Sequence, residues 1–395
     1  MALTGPPEAQ GRHERIVTGT IPGRGPVAVS VVGSRIREVT TIETERSVTL
    51  IPGLLDLQVN GYGGIDLNDG GVTPEIVAAL ARALWAVGVT GFCPTFVTAP
   101  VEDLVAGLCS VAAVLEGDPA LAHSVLGVHL EGPWVSAHDG ARGAHAAEHV
   151  RPATVRELDL LTGAGTPISI ITLAPEVDGV IELIPELVRR GIIASIGHSA
   201  ADPATIAAAA AAGATLSTHL GNAVAAQLPR HPNLLWSQLA TDSLWASFIA
   251  DGHHVDRDTL SVFLKAKGLD RSVLVSDTVA VAGLAPGSYE TPLGGAVELS
   301  DSGRLSLAGT PYLAGAARTL LDGVAWLADS QILELGAAVA LATTNPATLL
   351  GDRGVDRGRI EAGCHADLVR VDFSGARPAV LEVIVGGVTV SGSAA

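Results

Sequence analysis

The sequence predicts an α/β chain: a (β/α)8 barrel of the TIM type, with a small β-sandwich domain assembled from both chain ends. Three observations carry this. Eight short apolar runs alternate with helical patterns through the middle of the chain. Those runs are nearly continuous in apolar residues, as parallel strands covered on both faces are. Both ends instead carry Val/Ile/Thr-rich segments broken by glycine turns. An open doubly wound sheet shares the alternation but usually has fewer strands.

The elements follow in order. The opening MALTGPPEAQGRHER has no apolar stretch of the kind a signal peptide needs, so residues 1–14 read as a flexible tail. Residues 15–51, with PVAVSVVGSRIREVTTI, form the first part of the β-domain. The barrel occupies 52–351. Its expected strands are Ile51–Gln58, Val87–Thr95, Ser124–Glu131, Pro167–Ala174, Ile192–His198, Ala214–His219, Ala246–Asp251 and Ser272–Asp277. Helical patterns cover Pro74–Val87, Val101–Leu115, Thr154–Gly163, Gly179–Arg190, Pro203–Ala212 and Asp258–Lys267, with a shorter one over Asn233–Leu244. A late helical region, Ala314–Gly351, closes the barrel, and 352–395 supplies the rest of the β-domain through LVRVDF and VLEVIVGGVTV.

Composition narrows the function. The 395 residues carry 24 Lys+Arg against 41 Asp+Glu, a net charge of -17. That balance argues against nucleic acid or an anionic membrane surface as partner. Cys93, Cys109 and Cys364 form no CxxC pair, which fits a reducing, cytoplasmic setting. The uncharged stretches 83–101 and 204–229 are interrupted by glycine, proline or polar residues, so neither reads as a membrane span.

Ionisable residues fall where the chemistry should be. Glu131 ends the third run, His198 and His219 close the fifth and sixth, and Asp277 closes the eighth. Singly, a buried histidine is usually just hydrogen-bonded, and a strand-end aspartate usually caps a helix. Together, four strand ends of one barrel meet at one rim. Two imidazoles and a carboxylate suit a catalytic divalent cation with an open position. His129 shares the face of Glu131 and reads as support within the strand. His138 and His149 read as solvated loop residues.

PGLLDLQVNGYGG, HLEGPW, GAH, GHSAAD, THLGNAV, IADGHHVD, VLVSDTVAVAG, LAGT, NPA and GRIEAGCHADLV stand in this order. In that series, over about residues 15–391, the chain resembles the N-acetylglucosamine-6-phosphate deacetylases of the amidohydrolase superfamily. The resemblance implies a metal-dependent amide hydrolase that gives glucosamine 6-phosphate and acetate in amino-sugar breakdown and cell-wall sugar recycling. N-acetylgalactosamine 6-phosphate is the alternative substrate. It implies Glu131, His198 and His219 as metal ligands and Asp277 as the acid/base. It implies His145 over the sugar, Asn222, Ala223 and His254 toward the phosphate, and Ala308 and Gly309 beside the substrate. Arg230, in LPRHPN, corresponds to an arginine that reaches the neighbouring subunit's substrate, so a homodimer is implied. Gln58 and Asn60 stand where many amidohydrolases have an HxH pair for a second metal, which points to one tight cation per subunit. Zinc is the first expectation, with iron, manganese or cobalt able to use the same ligands. Thr278 replaces an alanine common after the aspartate. A non-catalytic sugar-phosphate-binding barrel would be favoured by loss of a ligand or of Asp277, and none is lost.

Overall fold

The computed structural model describes residues 14–43, 48–291 and 295–392. The expected tail, residues 1–13, lies outside them. Glu14, grouped with the tail on sequence, is the first residue of a strand.

Eight parallel strands form the barrel: Leu54–Val59, Val89–Val97, Val128–Glu131, Ile168–Leu173, Ile193–Ile196, Leu216–Ser217, Trp245–Ile249 and Ser272–Val275. They pair in chain order from first to eighth. The ring closes where Val59 bridges Thr278 in parallel and the Asp277 amide donates to Gln58 O at 2.9 Å. The continuous apolar runs are explained by burial on two sides. Leu54, Phe92, Leu130, Ile171 and Phe248 pack with helix residues such as Val77, Leu80 and Leu104. Leu55, Leu57, Cys93, Ile170, Ile249 and Val273 share a separate cluster and fill the barrel. Each such side chain, fully buried, contributes about 1.5–3 kcal/mol.

The third strand is shorter than its run. Asp118 caps a helix over Pro119–Ser124, its side chain accepting from Ala120 N and Leu121 N, so the strand begins only at Val128. After the eighth strand the chain builds a three-stranded antiparallel sheet that the sequence reading does not anticipate: Gly287–Thr291, Gly295–Leu299 and Leu305–Leu307. The late helical region resolves into Leu320–Asp329, Leu335–Leu341 and Thr344–Leu349.

Both chain ends meet in one seven-stranded sheet. Its order is Val388–Gly392, Ala379–Val385, Leu368–Asp372, Thr49–Pro52, Glu14–Ile21, Gly25–Val32 and Arg35–Thr41. It is hydrogen-bonded as a single sheet, and it reaches a sandwich-like core by curling. Ala366 N donates to Ser34 O and Ile36 N to Cys364 O, both at 2.9 Å, drawing one edge back over the other side. Val17, Val29, Ile36, Leu368 and Ile384 fill the space between.

A buried ion cluster ties this sheet to the barrel base. Asp367 accepts from His123 Nε2 at 2.8 Å, Gly386 N at 2.7 Å and Arg357 Nη1 at 3.3 Å. Arg357 also donates to His123 O at 2.6 Å. Burial alone would raise the Asp367 carboxyl, but His123 and Arg357 hold it below its usual range. Arg357→Leu leaves that carboxylate buried and half-compensated, and is expected to cost about 3 kcal/mol or more of stability. Urea unfolding of the two proteins checks this.

Candidate active site

In a parallel barrel the strand C-termini open on one rim, and the chemistry-bearing residues sit there. Glu131 is the last residue of the third strand. His198, His219 and Asp277 each lie two residues beyond the fifth, sixth and eighth strands, with backbone φ of 49°, 31° and 53°. L-residues enter this left-handed region at a cost of about 1–3 kcal/mol, and such residues concentrate at functional sites. Here the surroundings impose it. Ser136 N donates to His198 O at 2.9 Å, Ser247 Oγ accepts from His219 N at 2.7 Å, and Asp277 N is bound to Gln58 O.

The side chains converge. Glu131 Oε1 lies 3.1 Å from His198 Nε2 and 2.9 Å from His219 Nε2, and the two nitrogens are 3.2 Å apart. All three residues are buried. A tetrahedral cation with bonds of about 2.0–2.1 Å sets its ligands roughly 3.3 Å apart. The triangle therefore fits a divalent cation with little adjustment. Glu131, His145 and His198 also satisfy the spacing of a possible metal group. Hydrogen bonding marks His198 as a ligand and His145 as a donor. His198 Nδ1 faces Arg142 O at 3.2 Å and so carries a proton, leaving the Nε2 lone pair toward the cluster. His145 Nδ1 accepts from Thr98 N, with Thr98 Oγ1 at 2.7 Å, so its Nε2 carries the proton. Its Nε2, 3.3 Å from His198 Nε2, is then a donor and a poor ligand.

The electrostatics are those of a site built around positive charge. Burial would raise Glu131, but His198 and His219 hold it well below its ordinary value. Burial lowers His219, and the Glu131 hydrogen bond and charge more than reverse that. Burial, then the charge of His198, pushes His145 down to about 3. Asp277 is pushed up to about 6 by burial and then by Glu131.

Gln58 and Asn60 reach the same cluster. Gln58 Nε2 donates to Glu131 Oε1 at 2.9 Å, and Asn60 Nδ2 to Asp277 Oδ1 at 2.7 Å. His129 is pinned between Leu57 O at 3.0 Å and Thr172 Oγ1 at 2.7 Å, and burial lowers it to about 4, so it is a neutral strut.

The remaining sequence candidates lie around this centre at different depths. Asn222 Nδ2 donates to His219 O at 3.0 Å. Ala223 has φ 49°, and a Cβ on neighbouring Gly143 would lie 3.8 Å from its own Cβ and 3.2 Å from the His198 ring. His254 Nδ1 is 2.7 Å from Asp251 Oδ2, and its charge is felt at Asp277. Arg230, Ala308 and Gly309 are exposed and share no described hydrogen bond or ion pair with the cluster. Three supporting residues escape the sequence reading: Thr98, Arg142 and Asp251. Asp251 ends the seventh run and carried the same strand-end signal as the others. Thr98 and Arg142 act from loops, largely through backbone atoms, and leave no comparable signal.

Comparison with known proteins gives a consistent result. The amidohydrolase family model matches residues 49–390. Over 340 residues, 82% of this chain and 80% of the relative, the chain is 36% identical to N-acetylglucosamine-6-phosphate deacetylase of Bos taurus. It is 32% identical over 326 residues to N-acetylgalactosamine-6-phosphate deacetylase of Shewanella sp. (strain ANA-3), covering 82% of this chain and 80% of that one. Among solved structures, a variant of N-acetyl-D-glucosamine-6-phosphate deacetylase from Mycobacterium smegmatis, in complex with N-acetyl-D-glucosamine-6-phosphate, superposes with a TM-score of 0.84 at 28% identity. That match covers 95% of this chain and 99% of the other.

Proposed function

Because the chain belongs to the amidohydrolase family, we propose that it hydrolyses the acetamide of N-acetyl-D-glucosamine 6-phosphate to acetate and D-glucosamine 6-phosphate. The observation that carries this is the buried Glu131–His198–His219 triangle with Asp277 beside it. Those three residues would hold one divalent cation, with zinc the best match to a His/His/carboxylate set. Such a cation lowers the pKa of water from 15.7 to about 7 and polarises a carbonyl.

The chain's own residues do the rest. Asp277, ionised, accepts a proton from the water as its oxygen bonds to the acetyl carbon. His145 Nε2–H donates to the carbonyl oxygen as negative charge develops there. Asp277 returns the proton to the nitrogen as the C–N bond breaks, releasing the amine and acetate. Asn222, the Ala223 amide and His254 bind the phosphate, with Ala308 and Gly309 along the sugar. A net charge of -17 makes such local positive and N–H-rich groups necessary for an anionic substrate. Arg230 is exposed and serves the partner's phosphate in a homodimer. Among the described residues no helix is long and apolar enough to cross a membrane, and the free cysteines suit a cytoplasmic setting.

The test is acetate release from N-acetylglucosamine 6-phosphate, its galacto epimer and the unphosphorylated sugar. The gluco 6-phosphate is expected to be turned over with kcat/KM at least about 100-fold above the unphosphorylated sugar, since each buried charge-assisted contact contributes about 1.5–3 kcal/mol. Equal rates with and without phosphate would remove the phosphate-site proposal. A preference for the galacto epimer would move the chain toward the reaction named for the Shewanella relative.

A further inference from the structure

We infer that Asn60 is a positioning residue for Asp277: its amide fixes that carboxylate and decides which oxygen carries the transferred proton. This rests on the deacetylase reading of the same site and goes beyond it. On sequence, Asn60 is merely a failed metal ligand. In the structure it has work of another kind.

Asn60 Nδ2 donates to Asp277 Oδ1 at 2.7 Å, and among the described residues it is the one side chain hydrogen-bonded to that carboxylate. The sense of the amide follows from chemistry. Turned over, its carbonyl oxygen would face a carboxylate oxygen, acceptor against acceptor. Its own Oδ1 is buried without a partner, so nothing else dictates the orientation. An oxygen engaged by this N–H is the poorer site for a proton. Oδ2 is therefore the atom that takes the proton from water and returns it to the nitrogen.

The backbone prepares this contact. Asn60 N and Gly61 N both donate to Thr278 O, at 2.9 and 3.0 Å, and Asp277 N donates to Gln58 O at 2.9 Å. Ser276 N donates to Asp56 Oδ1 at 3.0 Å. Residues 56–61 are thus stitched to 276–278 on both sides of Asp277. Gly61 is required in the stitch, because a Cβ there would fall 2.3 Å from Ile65 O. The stitch sets where the Asp277 backbone sits, at φ 53°. Rotation of the carboxylate about its last bond is left to the Asn60 amide.

Asn60→Leu and Asn60→Ala both remove the N–H without adding charge, the first at nearly constant volume, and Asn60→Gln keeps it on a longer arm. Each is assayed for kcat and KM, for bound cation by elemental analysis, and for its unfolding midpoint. In the Leu and Ala variants kcat is expected to fall about 10- to 100-fold with KM within about threefold, since the loss concerns the transition state alone. Bound cation stays at the unaltered level, and Asn60→Gln recovers part of kcat. The assignment is overturned by kcat within about twofold of the unaltered protein in both variants, by a rise in KM alone, or by a loss of kcat that tracks lost cation. If the Leu variant does not fold, the Ala variant decides by the same criteria. If the unaltered protein releases no acetate from any phosphorylated N-acetylhexosamine, the deacetylase reading itself fails, a result distinct from normal turnover that is indifferent to Asn60.

Discussion

Asp277→Asn is expected to lower turnover about 10^3-fold while leaving the fold and the bound cation in place. General acid–base catalysis contributes about 10^2- to 10^4-fold, and in the proposed mechanism one residue serves in both directions. The amide has the shape of the carboxylate but cannot take the proton. Asp277 touches none of the proposed ligands by hydrogen bond, so elemental analysis should find the cation at its normal level. The pH dependence has a definite sign. Burial and Glu131 push the Asp277 carboxyl up to about 6. The base must be ionised, so kcat/KM rises with pH through an acid limb. A bound cation draws the pKa down, which places that limb at or below about 6. The Asn variant should show residual activity without the limb. Activity within about tenfold of the unaltered protein would exclude Asp277 as the acid/base.

Glu131→Gln is expected to abolish both cation binding and turnover. It removes the one anionic member of the triangle and leaves His198 and His219, whose Nε2 atoms are 3.2 Å apart, without a counter-charge. Loss of a ligand should weaken the cation by more than about 100-fold, the upper range for groups that merely orient ligands. The isolated triangle also has a predictable titration. Glu131 sits well below its ordinary value of 4.5, despite burial, because of His198 and His219. Its stabilising effect is full above about 4.5 and is lost as pH falls through the depressed value. His219 is raised above 6.5 by Glu131 against the pull of burial. Its effect is full below 6.5 and is lost as pH rises through the raised value. Between these limits the cation-free protein holds a Glu131–His219 ion pair. A cation must displace the His219 proton, so affinity should rise with pH across that window. Cation titrations at several pH values, with and without Glu131→Gln, check both statements.

Much of the barrel was legible because burial on two faces removes polar residues from parallel strands. All eight runs contain their observed strand or overlap it. The converging residues were legible as a set: each alone has an ordinary structural use, but ionisable groups ending four runs of one barrel meet at one rim. What the sequence hid is of two kinds. Asp118 and Pro119 start a short helix just before an apolar run and carry it onto the run's first residue, Ser124, where capping outweighs the hydrophobic pattern. The three-stranded insertion is small and exposed, held by a minor cluster around Val297, Leu299 and Leu305, so its pattern was weak. Within the site, the proton positions on His145 and His198 depend on Thr98 and on the carbonyl of Arg142. Neither relationship has a spacing or composition that could announce it. The role of Gln58 and Asn60 as donors likewise needed the distances, since an amide in place of an imidazole reads on sequence only as a loss.

The terminal sheet imposes an order on assembly. Its strand Thr49–Pro52 pairs with Leu368–Asp372, with Thr49 opposite Val371, so the two halves of one sheet are separated by the entire barrel. Contacts between such distant segments form slowly, because a long loop must close before they are rewarded. During synthesis all eight barrel strands are made before residues 368–392 exist, although Val369, Val371, Val383 and Val385 of that segment share the barrel's main core cluster. Until then Thr49–Pro52 offers an unpaired edge. An unpaired edge is an open invitation to another chain. The danger for this protein is therefore greatest while it is being made, because a chain that ends before Leu368 leaves that edge uncovered and the barrel core short of four valines.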